Sequence, residues 1–78
     1  MNLEIITPER TIFKGYASLV QMPGIDGLFE VLTNHAPMIA VLTKGRVKIK
    51  NEQDKLEYID IKGGVVEVLA NKITVLAD

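Results

Sequence analysis

Arg46-Val47-Lys48-Ile49-Lys50, then Asn51-Glu52-Gln53-Asp54, then Leu56-Glu57-Tyr58-Ile59-Asp60-Ile61, is the stretch on which the fold turns. Alternation over 46–50 has a period of two, so Val47 and Ile49 share one face of a strand and the basic side chains share the wet one. The polar cluster 51–54 can turn the chain, which predicts that 46–50 pairs with 56–61 as a hairpin. Tyr58 and Ile59 are adjacent apolar residues that slip the phase of the second strand, as a bulge or partial cover on both faces would.

The same grammar extends outward. Ile and Val dominate the apolar set, in clusters of about four to seven residues that end at Gly, Pro, Asn or Asp. Leu3 to Ile6 reads as a first strand stopped by Thr7-Pro8, and Thr11 to Met22 as a longer one with Gly15 as a bend or bulge. Phe29 to Leu32 and Met38 to Leu42 follow. After Gly63-Gly64, Val65 to Leu69 and Ile73 to Leu76 flank Ala70-Asn71-Lys72, where Asn71 tolerates the left-handed conformation of a tight turn. No stretch reads as a helix. The last hairpin is apolar on both faces apart from Glu67 and Thr74, and strands covered on both sides belong between layers. The expected fold is therefore all-β, a sandwich of two antiparallel sheets with about eight to ten short strands.

The chain has 78 residues, a formal charge of -1, no cysteine and one histidine. A single domain of this size buries only about 60% of its unfolded surface, so its stability leans on a partner. Without cysteine there is no disulfide framework or thiolate zinc site, and one histidine argues against a histidine-rich metal site. The balanced charge and four scattered aromatics, Phe13, Tyr16, Phe29 and Tyr58, give no footprint for nucleic acid. No apolar run approaches the roughly 20 residues that span a bilayer, and Met1-Asn2-Leu3-Glu4 lacks a basic leader. These features read as a soluble, non-exported chain without direct membrane insertion.

Catalytic constellations are absent from the pattern. Ser18 is the one serine and has no nucleophile elbow around it; a small hydrolase would need Ser18 and His35 to meet in space. Glu52 and Asp54, the one pair of neighbouring carboxylates, lie in a polar turn and read as solvated turn residues. The glycines make no phosphate loop, and no cofactor is expected. The basic residues Lys44, Arg46, Lys48 and Lys50 form a stripe, read as solubilisation or edge protection ahead of an acidic docking partner.

The segment from Pro23 to Pro37 is different in kind. Two glycines and two prolines bracket a short apolar run and His35, which specifies a shaped loop, strand and loop. His35 reads either as a structural residue bonding loop backbone or as a contact on a partner-facing loop, and Asp26 as a turn former first and a contact second.

Together, Pro23-Gly24 with Gly27, Phe29-Glu30-Val31-Leu32, His35-Ala36-Pro37, Gly45 with Val47 and Ile49, Gly63-Gly64-Val65-Val66-Glu67-Val68 and Ile73-Thr74-Val75-Leu76-Ala77-Asp78 resemble the epsilon subunit of F-type ATP synthase. The resemblance covers nearly the whole chain and implies a flattened ten-stranded β-sandwich. It also implies a non-catalytic rotor subunit of the central stalk, coupling the gamma subunit to the c-ring during ion-driven ATP synthesis. Such a subunit is peripheral, on the cytoplasmic face of a bacterial membrane. By position the ring-facing residues are Gly24, Ile25, Asp26, Gly27 and Leu28, with His35 in the neighbouring loop; the family often has a polar residue where Leu28 stands. The gamma-facing residues are Met38, Ile39, Ala40, Val41 and Leu42. Family members commonly continue past the Leu-Ala-Asp segment into two helices that bind ATP in some bacteria and inhibit hydrolysis. The expectation for 1–78 is a short form without that helical domain, nucleotide binding or helix-mediated inhibition. The alternative is a free-standing β-sandwich adaptor that binds protein partners.

Overall fold

The hairpin that decides the fold forms as expected. The structure is a computed structural model that describes residues 1–78 and contains eight strands and no helix: β1 (Asn2–Ile6), β2 (Thr11–Gly24), β3 (Gly27–Leu32), β4 (Met38–Leu42), β5 (Gly45–Asn51), β6 (Leu56–Ile61), β7 (Gly64–Leu69) and β8 (Lys72–Ala77). β5 pairs with β6 in unbroken register from Gly45↔Ile61 to Lys50↔Leu56. Val47 and Ile49 are fully buried. Asn51 builds the turn, its Oδ1 accepting from the backbone N–H of Gln53 (2.9 Å) and of Lys55 (3.1 Å), an Asx arrangement that adds to the backbone bonds Asn51 N–H to Lys55 O and Asp54 N–H to Asn51 O across the bend. The slip read at Tyr58-Ile59 is neither a bulge nor double cover. Ile59 turns toward the core while Tyr58 stands exposed on the outer face.

β2 is the long strand that makes two layers out of one chain. Its first half pairs with β1 and its second half with β3 on one edge and β5 on the other. Opposite β1, Ile5 faces Phe13 and Ile6 faces Thr11, so Ile12 is an extra residue; opposite β5, Ala17 faces Asn51 and Leu19 faces Lys50, so Ser18 is another. Bulges bend and over-twist a strand, which is how one strand passes from sheet to sheet. Gly15, where a bulge was expected, stays in regular register opposite Leu3.

All eight strands are hydrogen-bonded into one continuous sheet that folds over at β2 into two layers, referred to as the first sheet (β3-β2-β5-β6) and the second (β2-β1-β8-β7-β4), with β4 returning to β2 through one pair, Gly24↔Leu42. All pairs are antiparallel except β1 with β8, which run parallel from Asn2↔Lys72 to Ile6↔Leu76. That pair departs from the purely antiparallel expectation for a topological reason: its strands come from opposite ends of the chain, so no hairpin dictates their direction. The basic stripe also needs correcting. β5 is flanked by β2 and β6 and is not an edge strand, so its lysines protect no edge.

Sixteen buried apolar residues form one core between the sheets, and no polar side chain is buried with them. Val20, Met22, Val31, Val47 and Ile49 come from the first sheet; Leu3, Ile5, Val66, Val68, Ile73 and Val75 come from the second. The β7–β8 turn holds Ala70 at φ 49° and Asn71 at φ 64°. Two left-handed residues make the type I′ geometry that matches strand twist.

Candidate protein-docking surfaces

The β2–β3 hairpin ends in Ile25-Asp26 between the paired glycines Gly24 and Gly27. Gly27 has φ 123°, a conformation closed to most side chains, and it lets β3 leave the turn antiparallel to β2. The tip is apolar and wet: Ile25 is 62% and Leu28 67% exposed. It is also clamped to β4. The Ile25 N–H donates to Val41 O at 3.1 Å, and the Thr43 N–H donates to Pro23 O at 2.8 Å. Between tip and strand lies an open groove of about 440 Å³, lined by Gly24 to Phe29 on one wall and Met38 to Val41 on the other.

Alternation along β4 splits the segment 38–42. Leu42 is buried and Met38 and Ala40 pack against the core, whereas Ile39 (73% exposed) and Val41 face out. Strand register extends these two residues into rows, because directly opposed residues share a face. Val41 opposes Val65, Val65 opposes Leu76, and Leu76 opposes Ile6, so an apolar row crosses four strands. Ile39, Glu67, Thr74 and Glu4 form the adjacent row. Val65, Leu69 and Leu76 are exposed large apolar residues on the outer face of the last hairpin. An apolar row of four strands, bordered on one side by the mixed row that carries Glu67, Thr74 and Glu4, has the form of a protein contact surface.

The sequence-predicted residues thus divide. Gly24 through Leu28 sit together at the tip, adjoining Ile39 and Val41. His35 lies elsewhere: the loop that carries it follows the far end of β3, six residues or roughly 20 Å of strand from the tip. There it neighbours the β7–β8 turn, with the Asn34 N–H 3.4 Å from Asn71 Oδ1. The His35 ring is exposed and its Nδ1 lies 2.7 Å from the carbonyl O of Ala36, a bond made as the Nδ1–H tautomer. That is the structural use of the side chain, a ring bond to loop backbone. Ile6, Val65, Leu69 and Leu76 escaped assignment as contacts, although the doubly apolar last hairpin was the signal that could have found the last three.

One ionisable group is displaced. The Met1 ammonium, inside the fold, donates to Ala17 O at 3.0 Å, and burial lowers its pKa from 8.0. No group of three or more His, Cys, Asp or Glu side chains is placed to hold a metal ion.

Comparison with known proteins converges on one family. Residues 1–78 match the family model described as ATP synthase, Delta/Epsilon chain, beta-sandwich domain. The ATP synthase epsilon chain of Leptospira borgpetersenii is 37% identical over 78 residues, all of this chain and 61% of that one. That of Brevibacillus brevis is 37% identical over all of this chain and 59% of its own. That of Chlorobium limicola is 37% identical over 99% of this chain and 88% of its own. The chain therefore spans about three-fifths of the first two relatives and most of the third. Among solved structures, a chain of the Euglena gracilis mitochondrial ATP synthase OSCP/F1/c-ring assembly superposes with a TM-score of 0.88 at 19% identity, covering 96% of this chain and 48% of that one. A chain of the Tetrahymena thermophila mitochondrial ATP synthase central stalk/c-ring superposes at 0.80 and 20% identity, covering 99% and 62%. These two likenesses establish the sandwich fold.

Proposed function

The chain belongs to the ATP synthase delta/epsilon family as its β-sandwich domain, and from that premise we propose that residues 1–78 couple the gamma subunit to the c-ring in the rotor. The role is mechanical. Ion-driven rotation of a ring reaches a catalytic head only through a joint that does not slip, and this domain is that joint on the cytoplasmic side of a bacterial membrane. The β2–β3 tip, Gly24 to Leu28, meets the ring. The outer face of the second sheet, centred on Ile39 and Val41 and continued by Val65, Leu76 and Ile6, meets gamma.

The observation that supports the reading is the adjacency of the two surfaces. An apolar tip and an apolar sheet face, each exposed in the isolated chain, are joined by two backbone hydrogen bonds across one groove. A free-standing soluble domain gains nothing from leaving Ile25, Leu28, Ile39 and Leu76 in water, and covering them favours association. His35, at the opposite end of β3, takes no part in the ring contact under this reading.

A tagged copy expressed in the source organism, captured from detergent-solubilised membranes, tests the assignment. Gamma and c-ring subunits are expected among the recovered proteins. Recovery of neither, with the synthase shown intact, would move the domain to the adaptor reading. Leu28→Asp then separates the two surfaces: ATP synthesis in reconstituted vesicles falls while gamma capture persists, and unchanged coupling would remove the tip from the ring contact. Residues 1–78 have no nucleotide role in this reading, so calorimetric titration with ATP should give no saturable heat.

A further inference from the structure

The outer face of the first sheet takes part in neither proposed contact, and its side chains are ordered in rungs. Register places Lys50 beside Leu56, Lys48 beside Tyr58, and Arg46 beside Asp60. Leu19, on the other side of β5, opposes Lys50 and widens the first rung. The third rung is closed on itself: Arg46 Nε lies 3.3 Å from Asp60 Oδ1, and its guanidinium carbon stands 5.3 Å from the centroid of the Tyr58 ring. It is the only ion pair in the molecule, so Lys48 and Lys50 have no acidic partner. Beside these two free cations, Leu56 and Tyr58 are both half exposed.

We propose that this face docks an acidic amphipathic helix from a partner polypeptide, lying along the β5–β6 seam. The charge pattern selects the occupant. Lys48 and Lys50 are two strand residues apart, about 6.6 Å, and carboxylates at i and i+4 of a helix rise about 6 Å. One flank of the helix can therefore neutralise both cations while its apolar stripe covers Leu56 and Tyr58, one strand or about 4.8 Å away. A helix is about 10–12 Å across, which suits a seam two strands wide with Leu19 at its margin. Two free cations are too few to hold a lipid surface, at about 1 kcal/mol each, and the adjacent apolar column gives an amphipathic helix what a headgroup layer would not use. The footprint is well below that of a stable interface, so the contact is weak, reversible and salt-sensitive. It rests on a face separate from the tip and the second sheet, and stands or falls independently of the rotor assignment.

The test uses the full chain and a blocked synthetic helix of about 18 residues, five turns, with a leucine stripe flanked by glutamates; a control peptide has lysine at every glutamate. Expected is binding of the acidic peptide alone, weakening roughly fivefold between about 50 and 200 mM salt, with amide NMR shifts confined to β5, β6 and Leu19. The double variant Lys48→Glu/Lys50→Glu should lose the acidic peptide by about tenfold or more and gain the basic one. Lys48→Gln/Lys50→Gln, which removes charge without reversing it, should lose the first and not gain the second. Equal binding of both peptides, shifts mapping to the second sheet, no effect of the glutamine variant, or binding to phosphatidylglycerol vesicles without binding to the peptide would each overturn the proposal.

Discussion

Gly64→Ala is the substitution whose cost the structure sets most sharply. Gly64 opens β7 at φ 145°, opposite Ala77 of β8 and Leu42 of β4. A Cβ there would overlap Leu76 O and lie 2.9 Å from the Ala77 Cα, both backbone atoms that no rotamer change can move. The conformation alone costs an alanine about 1–3 kcal/mol. Relieving the overlap requires β8 to swing away from β7, which brings the expected loss to about 3–5 kcal/mol. A chain of 78 residues holds only about 4–12 kcal/mol in total, so the variant should melt roughly 15–30 °C lower. Gly27→Ala is the matched control. Gly27 has φ 123° with nothing within 4 Å of an added Cβ, so only the conformational cost of about 1–3 kcal/mol applies. Urea titrations followed by circular dichroism, compared at equal m-value, give both numbers. A loss for Gly64→Ala no larger than that for Gly27→Ala would refute the steric argument. Gamma capture should weaken with Gly64→Ala, as β8 shifts against β7 in the second sheet, and survive Gly27→Ala.

Four further outcomes follow from the same geometry. Ile73→Ala removes a fully buried side chain and should cost about 2–5 kcal/mol in urea titration. Ala70→Asn puts a residue tolerant of left-handed backbone where an alanine is held at φ 49°, and should raise stability by about 0.5–1 kcal/mol with no change in gamma binding. Ile39→Gln alters a side chain that is 73% exposed, so stability should move by less than about 0.5 kcal/mol while affinity for gamma, measured by surface plasmon resonance, falls about tenfold. The Met1 ammonium makes stability depend on pH: the unfolded chain holds this proton up to about pH 8.0, whereas the folded chain releases it at lower pH. In that window the unfolded state binds more protons, so stability rises as pH rises and the gain is complete above 8.0. N-acetylation should abolish the slope.

Strand positions were legible because burial enforces period two, and β4 and β6 begin and end where the punctuation placed them. The bulges were not. Ile12 and Ser18 are ordinary strand residues, and their displacement is decided by the need to carry β2 from one sheet to the other, a demand that no local signal records. The parallel pairing of β1 with β8 was invisible for a related reason: it joins residues some seventy positions apart, and only closure of the second sheet brings them together. At the candidate surfaces, the tip was readable because glycine and proline shape it locally. The sheet face was not, since Ile6, Val41, Val65 and Leu76 become one row only once four strands are in register.

A joint that transmits torque is as stiff as the softest path between its two contacts. Were the tip tethered only through β2 and β3, load from the ring would bend a two-stranded ribbon, which is marginal by itself. The clamp changes the path. Ile25 N–H to Val41 O and Thr43 N–H to Pro23 O tie the hairpin to β4 and to the residue that follows it, and β4 is hydrogen-bonded along its length to β7. The row that faces gamma in the proposed assembly begins at Val41, the residue whose carbonyl closes the clamp. Force applied at Ile25 or Leu28 therefore reaches that face through two backbone hydrogen bonds and a paired strand. The loop that carries His35 lies off this path, next to the β7–β8 turn, and deforming it leaves the connection between tip and face intact.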